Sequence, residues 1–255
     1  MALTPRSYIE DFLVAVGYGI AFGYSRVTAL GNNPDIDKVS VPEDIWTGGG
    51  LYPWMTAATS LEIVSTNATD AAAGAGARTV VLRGLNDAFQ PVTQTLTLNG
   101  LAPVAIPAQL YRINSAAIES AGAGRVNAGD INVRDAGGGT VRAIIPAGSG
   151  ITRQSQYTVP LGYTLSIHSM FVCVGRQPDY AKPVGATVMP YIASPLSHYH
   201  LTLEISSAAP YRHDGSPGII IQEKNDFGLR CVHVSGDDSN VTAAMLGTLR
   251  DNTRD

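Results

Sequence analysis

From Thr59 to the C-terminus the chain offers no long stretch free of Gly and Pro with apolar residues at helical spacing. That one property excludes βαβ architectures, which need a crossover helix between strands. What the region offers instead is short runs of alternating or β-branched residues, punctuated by turn formers. TSLEIVS (59–65) places Leu61, Ile63 and Ser65 on one face. RTVVLRG (78–84) and TQTLTLNG (93–100) follow, the second ending in Asn99-Gly100, a pair that tolerates positive φ and marks a tight turn. YRINSAAIES, DINVRD and TVRAIIPAG come next, with Asp135 to Gly139 reading as a hairpin turn between the last two. The tract 155–175 is broken in two by Pro160-Leu161-Gly162. Further strands are expected at 184–192, 199–206, 218–223, 228–235 and 241–250. About a dozen short strands at this spacing predict an all-β protein with a β-sandwich or jelly-roll-like domain over 59–255. No repeat period is present, which argues against a solenoid or propeller.

Residues 1–58 have a different texture. Ile9, Phe12, Leu13, Val16 and Ile20 fall at helical spacing, so a short amphipathic helix is expected from near Pro5, weakened by Gly17, Gly19 and Gly23. The turn formers Gly31-Asn32-Asn33-Pro34-Asp35 follow. Next comes Pro42-Glu43-Asp44-Ile45-Trp46, then Gly48-Gly49-Gly50 and Tyr52-Pro53-Trp54, which hold both tryptophans of the chain. A Gly-rich segment of this kind builds no core of its own. It reads as an N-terminal attachment arm, 1–58, whose docking residues are Phe12, Trp46, Tyr52 and Trp54. They would dock on the chain's own β domain or on a partner.

Composition narrows the function classes. Charged residues make up only 15% and the formal net charge is −4, with no Lys/Arg cluster, so nucleic-acid binding is disfavoured. No apolar run reaches the length of a membrane span, and Phe12 to Phe22 lacks the pattern of a signal peptide. The chain is expected to stay in a cytoplasm until it assembles. Cys173 and Cys231 sit in apolar strand-like runs and read as buried free thiols, with a disulfide or metal pair as the sharper alternative.

Catalytic chemistry needs convergent ionisable groups. Neither a G-x-S-x-G elbow nor an H-E-x-x-H motif occurs. His198 and His200 lie two apart and would share one side of a strand, with His213 and Asp214 further along, which makes them the metal-site candidates. Surface or core histidines are the plainer reading. Asp35/Asp37, Glu43/Asp44 and Asp237/Asp238 read as solvated turn carboxylates, with a hard cation as the alternative. Gly74-Ala75-Gly76 and Gly122-Ala123-Gly124 read as loop tips. No catalytic residue, cofactor or further metal ligand is expected, and the chain is read as a non-enzyme.

Particular residues then carry a family resemblance. Pro42-Glu43-Asp44-Ile45-Trp46 with Gly48-Gly49-Gly50 and Tyr52 resembles the head of a group of uncharacterised structural proteins of tailed bacteriophages. The order continues through Ser65 to Val80, Gly84-Leu85, Leu96 to Gly100, Tyr111-Arg112-Ile113, Asn127 to Ile131 and Tyr157 to Gly162. The resemblance covers roughly residues 30–165. It implies a virion protein without catalysis, either a tail fibre or appendage or a capsid decoration protein, assembled in the host cytoplasm. The partners expected are portal, adaptor, tail or major capsid proteins and a host surface glycan, together with other copies in a homotrimer, since three-fold closure would let the arms cross subunits and cover sheet edges. A carbohydrate-binding receptor module is a further reading, held open by Tyr191, Tyr199 and Tyr211. Ordering an arm on a neighbour costs entropy that burial of Trp46, Tyr52 and Trp54 would offset.

Overall fold

The computed structural model describes residues 12–176, 184–193, 196–198, 203–206 and 211–254. They form an almost entirely β protein with a short helix, residues 12–17, near the N-terminus. The strands are β1 (Tyr24–Ile36), β2 (Glu43–Asp44), β3 (Leu61–Ser65), β4 (Ala77–Leu85), β5 (Pro91–Thr97), β6 (Val104–Ala105), β7 (Arg112–Ala121), β8 (Ile131–Asp135) and β9 (Val141–Ile145). They continue as β10 (Tyr157–Thr158), β11 (Tyr163–Arg176), β12 (Gly185–Ala193), β13 (Leu196–His198), β14 (Leu203–Ser206), β15 (Tyr211–Ile221), β16 (Asp226–Val234) and β17 (Ser239–Asp251).

Among the described residues all pairings are antiparallel and fall into four sheets. The first has the order β1-β17-β11-β15. The second runs β10-β16-β12-β13, with β14 also on β12 and β2 also on β16. The third is β6-β3-β8-β9 and the fourth β5-β4-β7. Together the sheets make a propeller-like ring rather than a clear jelly-roll sandwich.

The apolar residues explain this departure, because they collect into two cores. One takes Val27, Leu165, Val172 and Met245 from the first sheet and Val188, Leu203, Phe227 and Cys231 from the second. The other takes Leu61, Ile63, Val133 and Ile145 from the third sheet and Val80, Leu82, Leu96 and Ile113 from the fourth. Each fully buried side chain of this kind contributes about 1.5–3 kcal/mol. The second core is built from residues 55–145 alone, inserted between β2 and β10. The first core joins the two ends of the chain, residues 27–45 and 159–249.

The N-terminal arm therefore needs correction over residues 24–54. β1 is a 13-residue strand paired with β17 from Tyr24↔Arg250 to Ile36↔Ser239. The turn formers at 31–35 do not turn the chain, because Gly31, Asn32 and Asn33 are each held by distant residues. Gly31 lies where the Ile45 and Ser155 backbones cross it; an added Cβ would collide with the Ile45 carbonyl and come within 2.7 Å of Ser155 N. Asn32 Nδ2 donates to Asn240 Oδ1 at 2.6 Å and Thr242 Oγ1 at 2.9 Å on β17. Asn33 Nδ2 donates to Glu43 Oε2 at 2.8 Å. Pro34 falls in the register break between Asn33 and Ile36, where its missing N–H removes no ladder bond.

Other local expectations fare variously. Gly137 and Gly138, both at positive φ, close the β8–β9 hairpin, and Gly162 (φ 83°) follows the Pro160 break between β10 and β11. β3 is buried on both faces instead of one. Its Glu62 meets Arg134 Nε at 2.7 Å and accepts the Gly137 and Gly138 N–H groups. The helix places Val16 in a buried position, while Pro5 and Ile9 lie outside the described residues.

Candidate functional site

Two buried carboxylates lie where the inserted core meets the core that receives it, and one of them, Asp226, bonds directly across. Asp44 on β2 is 0% exposed. Its Oδ1 accepts Arg230 Nε at 2.7 Å, and its Oδ2 accepts the Tyr52 N–H at 2.8 Å and the Tyr191 hydroxyl at 2.9 Å. Asp226 opens β16. It accepts Arg112 Nε and Nη2, both at 2.7 Å, and the Thr158 hydroxyl at 2.6 Å. Arg112 Nη1 donates to the Met55 and Tyr111 carbonyls at 2.7 Å. Burial of such ions is tolerable only with this degree of hydrogen bonding.

Aromatic rings fill the space between the two pairs. Trp46 meets Tyr52 edge-on at 5.2 Å, and Tyr52 meets Trp54 at 4.7 Å. The Arg112 guanidinium lies over Tyr111 at 3.8 Å and Trp54 at 5.4 Å, and that of Arg230 over Tyr191 at 4.2 Å. Burial pushes the Tyr52 and Tyr191 phenols well above their ordinary range, with the neighbouring Asp44 carboxylate adding to the shift at Tyr191. Both hydroxyls therefore stay protonated and act as donors, Tyr52 to the Arg142 carbonyl at 2.8 Å.

Three of the four expected docking residues thus meet within the chain. Trp46 and Tyr52 are 5% and 6% exposed and Trp54 is half-buried, so of the two dockings left open, the intramolecular one is observed. Phe12 lies apart, edge-on to Tyr24 at 5.0 Å. The Glu43/Asp44 pair is buried rather than solvated. Nothing in the sequence marks Asp44 for Arg230 or Arg112 for Asp226, since the partners lie 186 and 114 residues apart.

The remaining motifs resolve into architecture. Asp70 is 0% exposed and accepts four hydrogen bonds, from the Ser65 hydroxyl at 2.6 Å and from the N–H groups of Ala77, Ala128 and Gly129 at 2.8–2.9 Å. Burial opposes its ionisation, but these donors outweigh burial and hold its pKa below the usual carboxylate range. The loops 74–76 and 122–124 pack on each other, with Gly124 N–H donating to the Ala75 carbonyl at 2.8 Å. Cys173 and Cys231 are free thiols; burial raises both, Cys231 to about 12. His200 and Tyr199 lie outside the described residues, as do the side chains of His198, Tyr211 and His213. Tyr191 is buried in the seam and offers no platform to a sugar. Asp35, Asp37 and Asp238 come together at the surface, their carboxylate oxygens within 4.8 Å, and the Asp238 N–H donates to Asp37 at 3.0 Å.

Beside the seam lies a cleft of about 320 Å³, open to solvent and lined from both parts of the chain. Ser25 to Thr28 on the outermost strand of the first sheet form one wall, and β4 and β5 form the other. Tyr157, Pro160 and Tyr163 also line it. The Asn114 side chain clamps the Thr158 backbone at its base, donating to the carbonyl at 3.0 Å and accepting the N–H at 2.9 Å. No family model matches the chain, and no curated protein does.

Proposed function

We propose that this chain is a structural component of a tailed-bacteriophage virion, a trimeric tail or neck appendage held to the particle through its N-terminal segment. The observation that carries the attachment is confined to residues 14–22. Val14, Tyr18, Ile20 and Phe22 are 55%, 78%, 74% and 79% exposed, all within nine residues ahead of β1. Large apolar side chains exposed this densely along one segment mark a stretch for another protein to cover. The attaching segment is thus shorter than the arm read from sequence, and the residues that follow it belong to the folded body.

The order of motifs from Pro42 to Gly162 supports the virion assignment. Many of the residues in it build structure, Asp44 and Tyr52 in the seam and Ser65 and Gly129 around the buried Asp70 carboxylate. The likeness is therefore one of fold. On this reading each core with its two sheets is a compact sandwich-like unit, and the protein works by assembly, without catalysis. Portal, adaptor or tail proteins are the partners, and three-fold closure covers sheet edges that would otherwise pair with other chains.

Imaging of intact particles with the chain located tests this. A few trimers around the portal vertex are expected. Even coverage of the shell would make it a decoration protein bound to the major capsid protein, and absence from particles would overturn the virion reading. Tyr18→Ser with Phe22→Ser should abolish incorporation while the protein stays folded. A stable monomer at micromolar concentration, alone and with its docking partner, would sink the trimer.

A further inference from the structure

The cleft beside the seam contains two cations that the fold does not use. Arg26 on β1 and Arg83 on β4 both line it and both are exposed. Neither makes a side-chain hydrogen bond or ion pair among the described residues, whereas Arg112, Arg134, Arg142 and Arg230 are each paired with a carboxylate. No carboxylate lines the cleft among the described residues. Two arginines without a carboxylate partner among the described residues, both lining one concavity, with Arg26 also bordering the pocket beside the helix, make a locally positive site in a chain whose net charge is −4.

The rest of the lining tells which anion fits. The hydroxyls of Ser25, Thr28, Thr93 and Ser115 are present and carry no side-chain bonds among the described residues. Tyr157 and Tyr163 add ring surface; burial, and then the neighbouring Tyr163, push the Tyr157 phenol up to about 12, so it is a neutral donor. The cleft has the volume of a small-ligand site. Planar guanidinium forks match carboxylates, free hydroxyls match a polyol, and tyrosine rings match the apolar face of a pyranose. Among the described residues no helix N-terminus, the usual cradle for phosphate, lines it.

We infer that this inter-core cleft binds a carboxylate-bearing saccharide, with Arg26 and Arg83 reading the carboxylate and the serine and threonine hydroxyls reading the ring. The site stands on the geometry of the cleft and holds whether or not the chain is a virion subunit. In a virion subunit it would be the contact with an acidic glycan of the host surface.

The test is titration of the full chain, followed by amide chemical shifts, with three acidic probes: a hyaluronan tetrasaccharide, a tetragalacturonate and sialyllactose. Chitotetraose serves as the neutral probe and inorganic phosphate as the competitor. At least one acidic probe should saturate the protein below about 10 mM, shifting amides of residues 25–28 and 92–93. Chitotetraose should bind at least about tenfold more weakly, and Arg26→Gln and Arg83→Gln should each weaken the acidic probe by a similar factor. Arg125→Gln, on an exposed arginine outside the cleft, should leave binding unchanged. Equal binding of chitotetraose, competition by phosphate at comparable concentration, or silence with all three acidic probes would each overturn the assignment. Since both arginines are exposed and unpaired, loss of binding in their variants is not a loss of fold, and thermal melts check this directly.

Discussion

Arg112 and Asp226, 114 residues apart, meet through two hydrogen bonds of 2.7 Å with both side chains buried. One belongs to the inserted core and the other to the core that receives it, so the pair acts as a rivet between them. Removing one partner leaves an uncompensated ion in a low-dielectric seam. Asp226→Ala should cost about 3–5 kcal/mol and lower the melting temperature by roughly 10 °C. The double variant Arg112→Leu/Asp226→Leu should recover part of that loss, because no lone charge remains. Urea titration of the two single variants and the double reads the coupling directly; additive losses would show that the pair is not coupled.

Asp44 carries a comparable load, with Arg230, Tyr191 and the Tyr52 N–H all directed at it. Asp44→Asn keeps the shape but leaves Arg230 buried without its counter-ion, and should destabilise by about 3 kcal/mol or more. Tyr191→Phe removes one donor and leaves the ion pair, so about 1 kcal/mol is expected. The ratio of the two losses in chemical denaturation distinguishes an ionic seam from simple packing.

Acid should loosen the protein partly through Asp70. Its folded pKa is depressed, since burial is outweighed by donors from Ser65, Ala128, Gly129 and Ala77. Its contribution is therefore fully present above the unfolded carboxyl pKa, near about 4, and is lost as pH falls through the lower folded value. Asp70→Asn should be less stable than the parent at pH 7, and the gap should narrow below about pH 4. Stability measured in urea across that range checks the sign.

Chain truncation separates the attaching segment from the body. Removal of residues 1–23 spares β1 and both cores, and should leave a cooperatively folded protein. Removal of residues 1–58 strips β1, Asp44 and Trp46, exposes the edge of β17 and strands Arg230, and should prevent folding. Circular dichroism melts of the two truncated chains distinguish these outcomes.

Two glycines of one segment should respond in opposite ways. Gly31→Ala drives a methyl into the Ile45 carbonyl and against Ser155, both backbone, and should cost several kcal/mol, on the order of 3. Gly17→Ala meets nothing within 4 Å and should be neutral or slightly stabilising, by about 0.5–1 kcal/mol. Thermal unfolding of the pair reads both.

Local chemistry was enough to read the strands wherever a segment's partner lies next to it in sequence. The β8–β9 hairpin follows from alternation flanking Gly137-Gly138-Gly139, and the break at Pro160 to Gly162 from the conformations those residues allow. The all-β class follows in the same way from the lack of helical periodicity after Thr59. What local chemistry could not reach was every feature set by a distant partner. Asn32 and Asn33 are turn formers by preference, yet they lie in a long strand because Asn240, Thr242 and Glu43 take up their amides. Trp46, Tyr52 and Trp54 were visible as aromatics in need of a surface, but Arg112 and Asp44, which make that surface, carry no local sign of their pairing. The division into two cores and the cleft between them belong to tertiary structure for the same reason. A hydrophobic pattern says which face of a strand is buried, and only the folded chain decides which other strand buries it.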